Sequence, residues 1–309
     1  MPKKRKTKKQ PFWKNFFIIL IILVVLFSLI IYVSSKLDGI STNKIALIPI
    51  NGPITDTGII SGLIPKKGIS ASKIINNLER ADKDPSIKGI IININSPGGT
   101  VVASQELAEK VKKIKKPVVA LLEDTAASGA YWVASAADVI VAHPMTITGS
   151  IGVTGSYLEF SGLMEEYGIA YQRFVSAPYK DIGSPYKEPT KDERKILQYN
   201  IDKIHNYFVK EISKNRNKDL SFFGNGAFYL GVDAKKLGLV DYIGTKELAI
   251  NITKQKAGIK KAKLVVFTQD NSLLSLMEKL TSNIAFYIGA GIGSQIFTLV
   301  QENKLKIIL

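Results

Sequence analysis

The chain has 309 residues, which is enough for one large domain or two domains of ordinary size. Hydrophobic residues make up 46% of it and charged residues 22%, so disorder is excluded for the chain as a whole. Its formal charge of +16 suits a nucleic-acid binder, whereas the absence of cysteine excludes disulfides, thiolate nucleophiles and zinc–thiolate sites.

The N-terminal segment predicts a single-pass signal anchor in the cell membrane. Residues 1–15 carry seven basic side chains and no acid, and residues 16–33 form an 18-residue run without a charge. As a helix rising about 1.5 Å per residue, this run spans roughly 27 Å, close to the thickness of a hydrocarbon core. We expect the basic tail in the cytoplasm, the transmembrane helix at 16–34, a linker at 35–43 and the remaining chain on the extracytoplasmic side.

Two other interpretations of the apolar run are open. A buried core helix is disfavoured because the run is apolar on every face and follows seven charges. A cleaved signal peptide competes more strongly, since Val33-Ser34-Ser35 resembles a cleavage site. The apolar core of a signal peptide usually has about 7–15 residues, however, so the length favours an uncleaved anchor.

Strand and helix patterns alternate along the chain after the linker. Short loops between alternating strands and helices are typical of a mostly parallel sheet covered by helices. The alternation stops near residue 260. The patterns predict strands at 44–50, 89–95, 117–122, 139–142 and 146–153, helices at 70–80, 101–116 and 127–137, and a long helix after a capping box of Thr190 with Glu193.

Two of the predicted strands end in sequences suited to acyl transfer, at the sheet edge where α/β proteins bind ligands. Residues 95–100, Asn-Ser-Pro-Gly-Gly-Thr, offer backbone N–H groups for an oxyanion hole or a phosphate, although without the Walker A lysine. Taken alone, Pro-Gly-Gly is more typical of a plain turn. Residues 124–130 place Ser128 near a helix start beside the N–H of Gly129, which fits a nucleophile or an ordinary N-cap equally well.

A serine nucleophile needs a base, and the chain offers few. The two histidines, His143 and His205, are better explained as structural residues. A lysine can replace histidine where burial favours the neutral amine. Lys180 lies in a semi-apolar loop at 174–185, unlike the clustered lysines elsewhere, but the same position also fits an ordinary surface lysine.

Five segments of the chain combine into an ordered set of motifs. They are Asn95–Gly99, Ala126–Tyr131, Thr148–Val153, Tyr179–Pro185 and Gly231–Asp241. Taken in this order, the five segments resemble the signal peptide peptidase A family. The resemblance covers residues 44–255, and no segment has to be reordered. Two departures are Ala130, where a glycine is usual, and 225–231, which lacks a common arginine.

The resemblance implies an α/β fold of the Clp-protease/crotonase type for residues 44–260, built from repeated β-β-α units with a mostly parallel sheet. Residues 261–309 would then be a C-terminal extension of uncertain role. The resemblance also implies a Ser–Lys dyad without metal or organic cofactor. Its residues would be Ser128 as the nucleophile, Lys180 as the general base, Ser150 as the residue that orients the lysine, and Gly98, Gly99 and Gly129 in the oxyanion hole.

The function implied by the resemblance is a membrane-anchored serine endopeptidase that degrades remnant signal peptides or other hydrophobic peptides. Family members with one such domain form ring-shaped homo-oligomers in which neighbouring protomers supply the serine and the lysine. Three alternatives stay open: a stomatin-associated protease of the same fold, a crotonase-like acyl-CoA enzyme, and a non-catalytic scaffold or nucleic-acid binder.

Two further features concern membrane and charge. Residues 284–300 are apolar but contain three glycines, Ser294 and Gln295, so a structural or interfacial role is favoured over a second span. Three runs at 1–15, 110–116 and 254–263 hold 17 of the 42 basic residues. The rest of the chain is almost neutral, and we therefore expect no nucleic-acid partner.

Overall fold

The computed structural model describes residues 12–38, 43–60 and 66–267. In chain order the elements are α1 (Phe12–Asp38), β1 (Lys44–Asn51), β2 (Ile54–Thr55), β3 (Ile59–Ile60), β4 (Lys66–Lys67), β5 (Ile69–Ser70), α2 (Ala71–Lys83), β6 (Ile87–Ser96), α3 (Val101–Lys113), β7 (Val118–Ala127), α4 (Gly129–Ser135), β8 (Val139–Ala142), β9 (Ile147–Gly149), α5 (Ser161–Glu166), α6 (Lys191–Arg216), a 3-10 turn (Ser221–Phe223), β10 (Phe228–Leu230), α7 (Gly231–Leu237), β11 (Tyr242–Ile243), α8 (Lys246–Lys256) and β12 (Lys263–Val266).

The main sheet follows the order β10-β9-β7-β6-β1-β12, with β8 beside the first half of β7 and β11 beside β8. Its pairs are parallel except for β9 with β10, which confirms the mostly parallel sheet expected from the sequence. Strand β12 pairs with β1 at one edge of the sheet. The sheet therefore continues past residue 260, where the alternation in the sequence stops.

The centre of the sheet is buried on both faces. Strand β6 contains three consecutive isoleucines, Ile90–Ile92, that are fully buried, as expected of a parallel strand covered by helices on either side. Ile90 and Ile92 belong to the larger core cluster, together with the inward residues of α2, α3 and α4. Ile91 belongs to a smaller cluster with Ala249 of α8. The strands that carry the strand-end loops are thus held rigidly by packing on both sides.

Strand β7 changes partner halfway along its length. Residues 119–122 pair with β8, and residues 125–127 pair with β9. The strand is therefore longer than the 117–122 predicted, and it runs directly into Ser128. Helix α3, by contrast, ends at Lys113 instead of residue 116, because the backbone is already extended at Ile114 on the way to Pro117.

Residues 154–190, here called the arm, separate the sheet strand β9 from helix α6. Residues 154–180 are exposed apart from Ser161 and Met164, which are half-buried. The arm contains one short helix, α5, and its C-terminal end leads into the capping box of Thr190 with Glu193 that starts α6. The capping box confirms the start of the long helix predicted from the sequence.

The N-terminal apolar run lies in helix α1, and its large apolar side chains between Phe16 and Leu29 are exposed. Among residues 12–38, 43–60 and 66–267, no helix is long and apolar enough over its described residues to cross a membrane. The transmembrane helix expected at 16–34 is therefore unsupported by the described part of the chain and stays a prediction. The segment 284–300 lies outside the described residues.

Candidate active site

Ser128 joins strand β7 to helix α4 in a backbone conformation that serine rarely adopts. Its φ of 55° and ψ of −126° are close to those of the first central residue of a type II′ turn, a position ordinarily taken by glycine. Holding another residue there costs on the order of 1–3 kcal/mol, so the surrounding structure must impose it. The Ser128 N–H donates to Gly149 O at 2.8 Å, and Ser128 O accepts from Trp132 N–H at 3.0 Å. Backbone bonds thus fix the turn on both sides of the serine.

The glycine turn after β6 packs directly against Ser128. Gly98 has a φ of +107°, and a Cβ there would lie 2.9 Å from both Ser128 Cβ and Gly129 N. Glycine is therefore required at this position by both conformation and space. The Gly98 N–H donates to Ser96 Oγ at 3.2 Å, so Gly98 shapes the turn. The N–H groups of Gly99 and Gly129 are the candidates for an oxyanion hole.

A cavity of about 120 Å³ lies beside Ser128. Gly99 and Gly129 line it on the side of the glycine turn, and Trp132 and Phe208 form part of an apolar wall. The two aromatic rings stack with their centroids 4.7 Å apart. A hydroxyl, two glycine backbones and an apolar wall therefore share one cavity, which is the arrangement that acyl transfer from a peptide with an apolar side chain requires.

Ser150 directly follows strand β9, which neighbours the strand that leads into Ser128. Strands β7 and β9 pair through Ala127 and Gly149, so Ser128 and Ser150 follow at adjacent strand ends. Ser150 also has a left-handed backbone, with a φ of 50°, and its N–H donates to Ala227 O at 2.8 Å. The pairing of β7 with β9 therefore brings Ser150 close to Ser128, and Ser150 is half-buried there.

Lys180 does not line the cavity of Ser128. It lies in consecutive turns of the arm, where its side chain is exposed and its N–H donates to Ala177 O at 3.1 Å. The single chain thus brings together the predicted nucleophile, the glycine turn and Ser150, but it does not bring the predicted base to them.

A series of ion pairs holds the segment around Lys180. The Arg173 guanidinium donates from Nε and Nη2 to the two oxygens of Asp181, at 2.7 and 2.8 Å. These bonds, with a smaller contribution from the charge of Lys187, lower the pKa of Asp181 to about 2. Lys187 also donates to Glu193 at 2.5 Å, and Glu193 caps helix α6. The residue next to Lys180 is therefore tied to the start of the long helix.

The two histidines do not line the cavity either. His143 Nε2 lies 3.5 Å from Glu123 on the surface, and His205 Nε2 is buried beside Gly224. Their positions agree with the structural roles expected from the sequence.

Sequence reasoning missed two polar residues of the cavity, Ser104 and Thr154. Ser104 lies on α3 and lines the cavity together with Ser128. It is 1% exposed, and it follows Val101 by three residues and precedes Ala108 by four on the buried face of the helix. A serine at helical spacing within an apolar stripe was the available signal, because buried polar groups normally need a partner.

Comparison with known proteins places the chain in a family. The model of peptidase family S49 matches residues 110–260, and the Clp protease model matches residues 50–151. A protein of Methanocaldococcus jannaschii named as a protease is 37% identical over 94% of this chain and 97% of that protein. A protein of Enterococcus faecium named as a signal peptide peptidase is 34% identical over 76% of this chain and 70% of that protein. The chain belongs to the signal peptide peptidase A family.

Membership of the signal peptide peptidase A family makes the chain a serine protease. The chloroplastic serine protease of Arabidopsis thaliana is a further relative, 31% identical over 75% of this chain and 36% of that protein. The Clp protease match runs from the end of β1 to just past β9 and includes both the glycine turn and Ser128. It agrees with the observed α/β fold and with the family predicted from the sequence.

Proposed function

We propose that the chain is a membrane-anchored endopeptidase whose catalytic dyad is Ser128 and Lys180. The observation that carries the proposal is the placement of Ser128, in a glycine-type conformation at a cavity lined also by Gly99 and Gly129. A strained serine between a strand and a helix is the arrangement of a nucleophile elbow, although the Gly-x-Ser-x-Gly sequence is absent.

In the proposed reaction, neutral Lys180 takes the proton of Ser128 Oγ as this oxygen attacks the scissile carbonyl carbon. The N–H groups of Gly99 and Gly129 donate to the oxyanion that forms, and loss of one such donor typically costs ~2.7–4 kcal/mol. The C–N bond then breaks, and the protonated lysine gives its proton to the leaving amine. Lys180 next takes a proton from water as the water oxygen attacks the acyl-enzyme carbonyl. The ester bond to Ser128 Oγ then breaks, and the protonated lysine returns its proton to this oxygen, which releases the acid product, ionised in water, and restores Ser128 and neutral Lys180.

The lysine of each site is proposed to come from a neighbouring copy of the chain. A lysine acts as a base only as the neutral amine, which burial favours, and Lys180 is exposed in the single chain. The arm that carries it exposes large apolar side chains, among them Leu158 at 73% and Phe174 at 91%. Apolar surface of this kind is typical of an interface. A ring in which each arm reaches the next protomer would complete every site, with Ser150 orienting the incoming lysine.

Remnant signal peptides and other hydrophobic peptides are the proposed substrates. The apolar wall that Trp132 and Phe208 give the cavity suits an apolar peptide. The proposed anchor at 16–34 would hold the protease domain next to the extracytoplasmic face of the cell membrane. Its support is the uncharged run at 16–33 behind a basic tail.

The experiment uses the full chain in detergent with a fluorogenic hydrophobic peptide. Ser128→Ala and Lys180→Ala are each expected to abolish cleavage, whereas Lys195→Ala, an exposed lysine on α6, is expected to retain it. Co-expression of the two inactive variants in equal amounts should restore about one quarter of the activity, since a random ring joins an intact serine to an intact lysine at a quarter of its interfaces. Full activity of either single variant would contradict the dyad, and failure of the mixture to recover would contradict the shared site.

Two further measurements separate the proposal from its alternatives. A panel of signal peptides and stomatin-derived peptides distinguishes the signal peptide peptidase from a stomatin-associated protease of the same fold. Covalent labelling of Ser128 by a serine-directed acylating probe, absent in Ser128→Ala, is expected of the protease and not of an acyl-CoA enzyme that works through carboxylates.

A further inference from the structure

The cavity beside Ser128 contains a buried hydroxyl that the proposed reaction does not use. Ser104 lines the cavity and is 1% exposed. The Ser104 N–H donates a hydrogen bond to Thr100 O at 3.0 Å, at the start of helix α3. Ser104 Oγ, by contrast, has no hydrogen-bond partner among the residues that the structure describes. A buried polar atom without a hydrogen-bond partner is uncommon in a folded protein. Where such an atom belongs to a residue that lines a cavity, a bound ligand can supply the missing hydrogen bond.

Most side chains that line the cavity with Ser104 are apolar, although Ser128 and Thr154 also contribute hydroxyl groups. Val101, one turn earlier on α3, and Ile204 of α6 line the same cavity, as do the stacked rings of Trp132 and Phe208. An unpaired hydroxyl among apolar groups discriminates strongly, because a ligand that leaves it unpaired keeps the cost of burying it. The chemistry of the cavity thus suits a side chain that is mostly apolar but carries one hydrogen-bonding group.

Position in the cavity indicates which substrate residue meets Ser104. Ser128 and the two glycine donors fix where the scissile carbonyl lies. The residue that provides this carbonyl is P1, and its side chain begins two bonds from the carbonyl carbon. Ser104 lies close to this point, because a Cβ on Gly129 would overlap Ser104 Oγ. At about 120 Å³ the cavity is smaller than a 150 Å³ cavity that holds benzene, so a side chain of modest size fits it.

We infer that Ser104 determines specificity at P1, and that its hydroxyl hydrogen-bonds to a hydroxyl-bearing P1 side chain, threonine or serine, within an otherwise hydrophobic peptide. The inference rests on the proposed function, since it needs Ser128 to be the nucleophile. Ser104 does not enter the bond-making steps. Its contribution is to favour a P1 side chain with a hydroxyl over an apolar side chain of the same shape.

The test is a double-mutant cycle with two peptides that differ only at P1, one with threonine and one with valine, its apolar isostere. The full-length protein is compared with Ser104→Ala, and kcat/KM is measured for both peptides. The threonine-to-valine ratio is expected to fall about fivefold in Ser104→Ala, which is the effect of one net hydrogen bond of about 1 kcal/mol. Ser104→Cys, whose thiol is somewhat larger than the hydroxyl and donates only weakly, should give an intermediate ratio.

Ser135→Ala is the matched control. Ser135 is also a fully buried serine, but its hydroxyl is already bonded to Trp132 O and Asn215, and it does not line the cavity. This variant should lose stability and keep the threonine-to-valine ratio. A ratio that is the same in the unmodified protein and in Ser104→Ala overturns the inference while leaving the dyad intact. Absence of cleavage of both peptides, together with no labelling of Ser128 by the acylating probe, overturns the proposed function itself and with it this role of Ser104.

Discussion

Replacing Gly98 with alanine separates the two reasons for which the glycine turn needs glycine. The first is conformation: a φ of +107° is unfavourable for alanine by on the order of 1–3 kcal/mol. The second is space, because the new Cβ would lie 2.9 Å from Gly129 N and from Ser128 Cβ, and 3.0 Å from Ala127 O. At these distances backbone must move, and the atoms that must move carry the proposed nucleophile and an oxyanion donor.

Gly52 provides a matched control for this substitution. Its φ is +103°, almost the same as that of Gly98, but a Cβ there has no atom within 4 Å among the described residues. Gly52→Ala should therefore show the conformational cost alone, as a similar fall in the free energy of unfolding. Gly98→Ala should show that fall and, in addition, a loss of kcat of about 10²–10³, the usual effect of losing one oxyanion donor.

The assay combines thermal unfolding, which reports stability, with steady-state cleavage of a hydrophobic peptide by the folded variants. Labelling of Ser128 by the acylating probe gives a second measure of the nucleophile's environment. The reasoning would be refuted if folded Gly98→Ala cleaved the peptide within about threefold of Gly52→Ala, since the oxyanion donors would then tolerate a displacement that the geometry requires.

Two other predictions concern ion pairs. Arg216, whose side chain is only 10% exposed, donates to Asp241 at 2.5 Å, and Asp241 also accepts from Ile140 N–H at 2.7 Å. Arg216→Met should therefore lower the free energy of unfolding by about 2 kcal/mol, measured by urea unfolding, and an unchanged midpoint would show that the bond is dispensable. The lowered pKa of Asp181 means that its pairing with Arg173 stabilises the fold fully above the ordinary carboxyl pKa and that this contribution falls away as the pH drops through about 2. Arg173→Gln should therefore lower the melting temperature at pH 6 by more than it does near pH 2, and equal effects at both pH values would contradict the assignment.

Much of the fold could be predicted because the strands of the core bury apolar side chains on both faces. Strand β6 and the capping box of α6 are local signals, and both appear where the sequence predicts them. Strand β12 could not be predicted in the same way. It is a four-residue edge strand with half-exposed side chains, and its place is set by pairing with β1, far away in the sequence.

The candidate site shows the same division between local and distant causes. The turn around Gly98 and the position of Ser128 follow from residues next to each other in the chain, and the sequence indicated both. The register that places Ser150 beside Ser128 depends on the pairing of β7 with β9. The role of Ser104 depends on what surrounds one face of α3, which periodicity marks as buried without saying which atoms lie opposite.

The exposure of the arm means that the two halves of the proposed dyad have unequal local stability. Ser128 is half-buried and directly follows strand β7, most of whose residues belong to the buried core, whereas Lys180 belongs to a segment that is almost entirely exposed. Local opening costs least where burial is least, so mild heating or low denaturant should detach the arm while the sheet remains folded. A protease built in this way becomes inactive before its own chain unfolds, and its unfolding molecules are therefore poorly exposed to digestion by active copies.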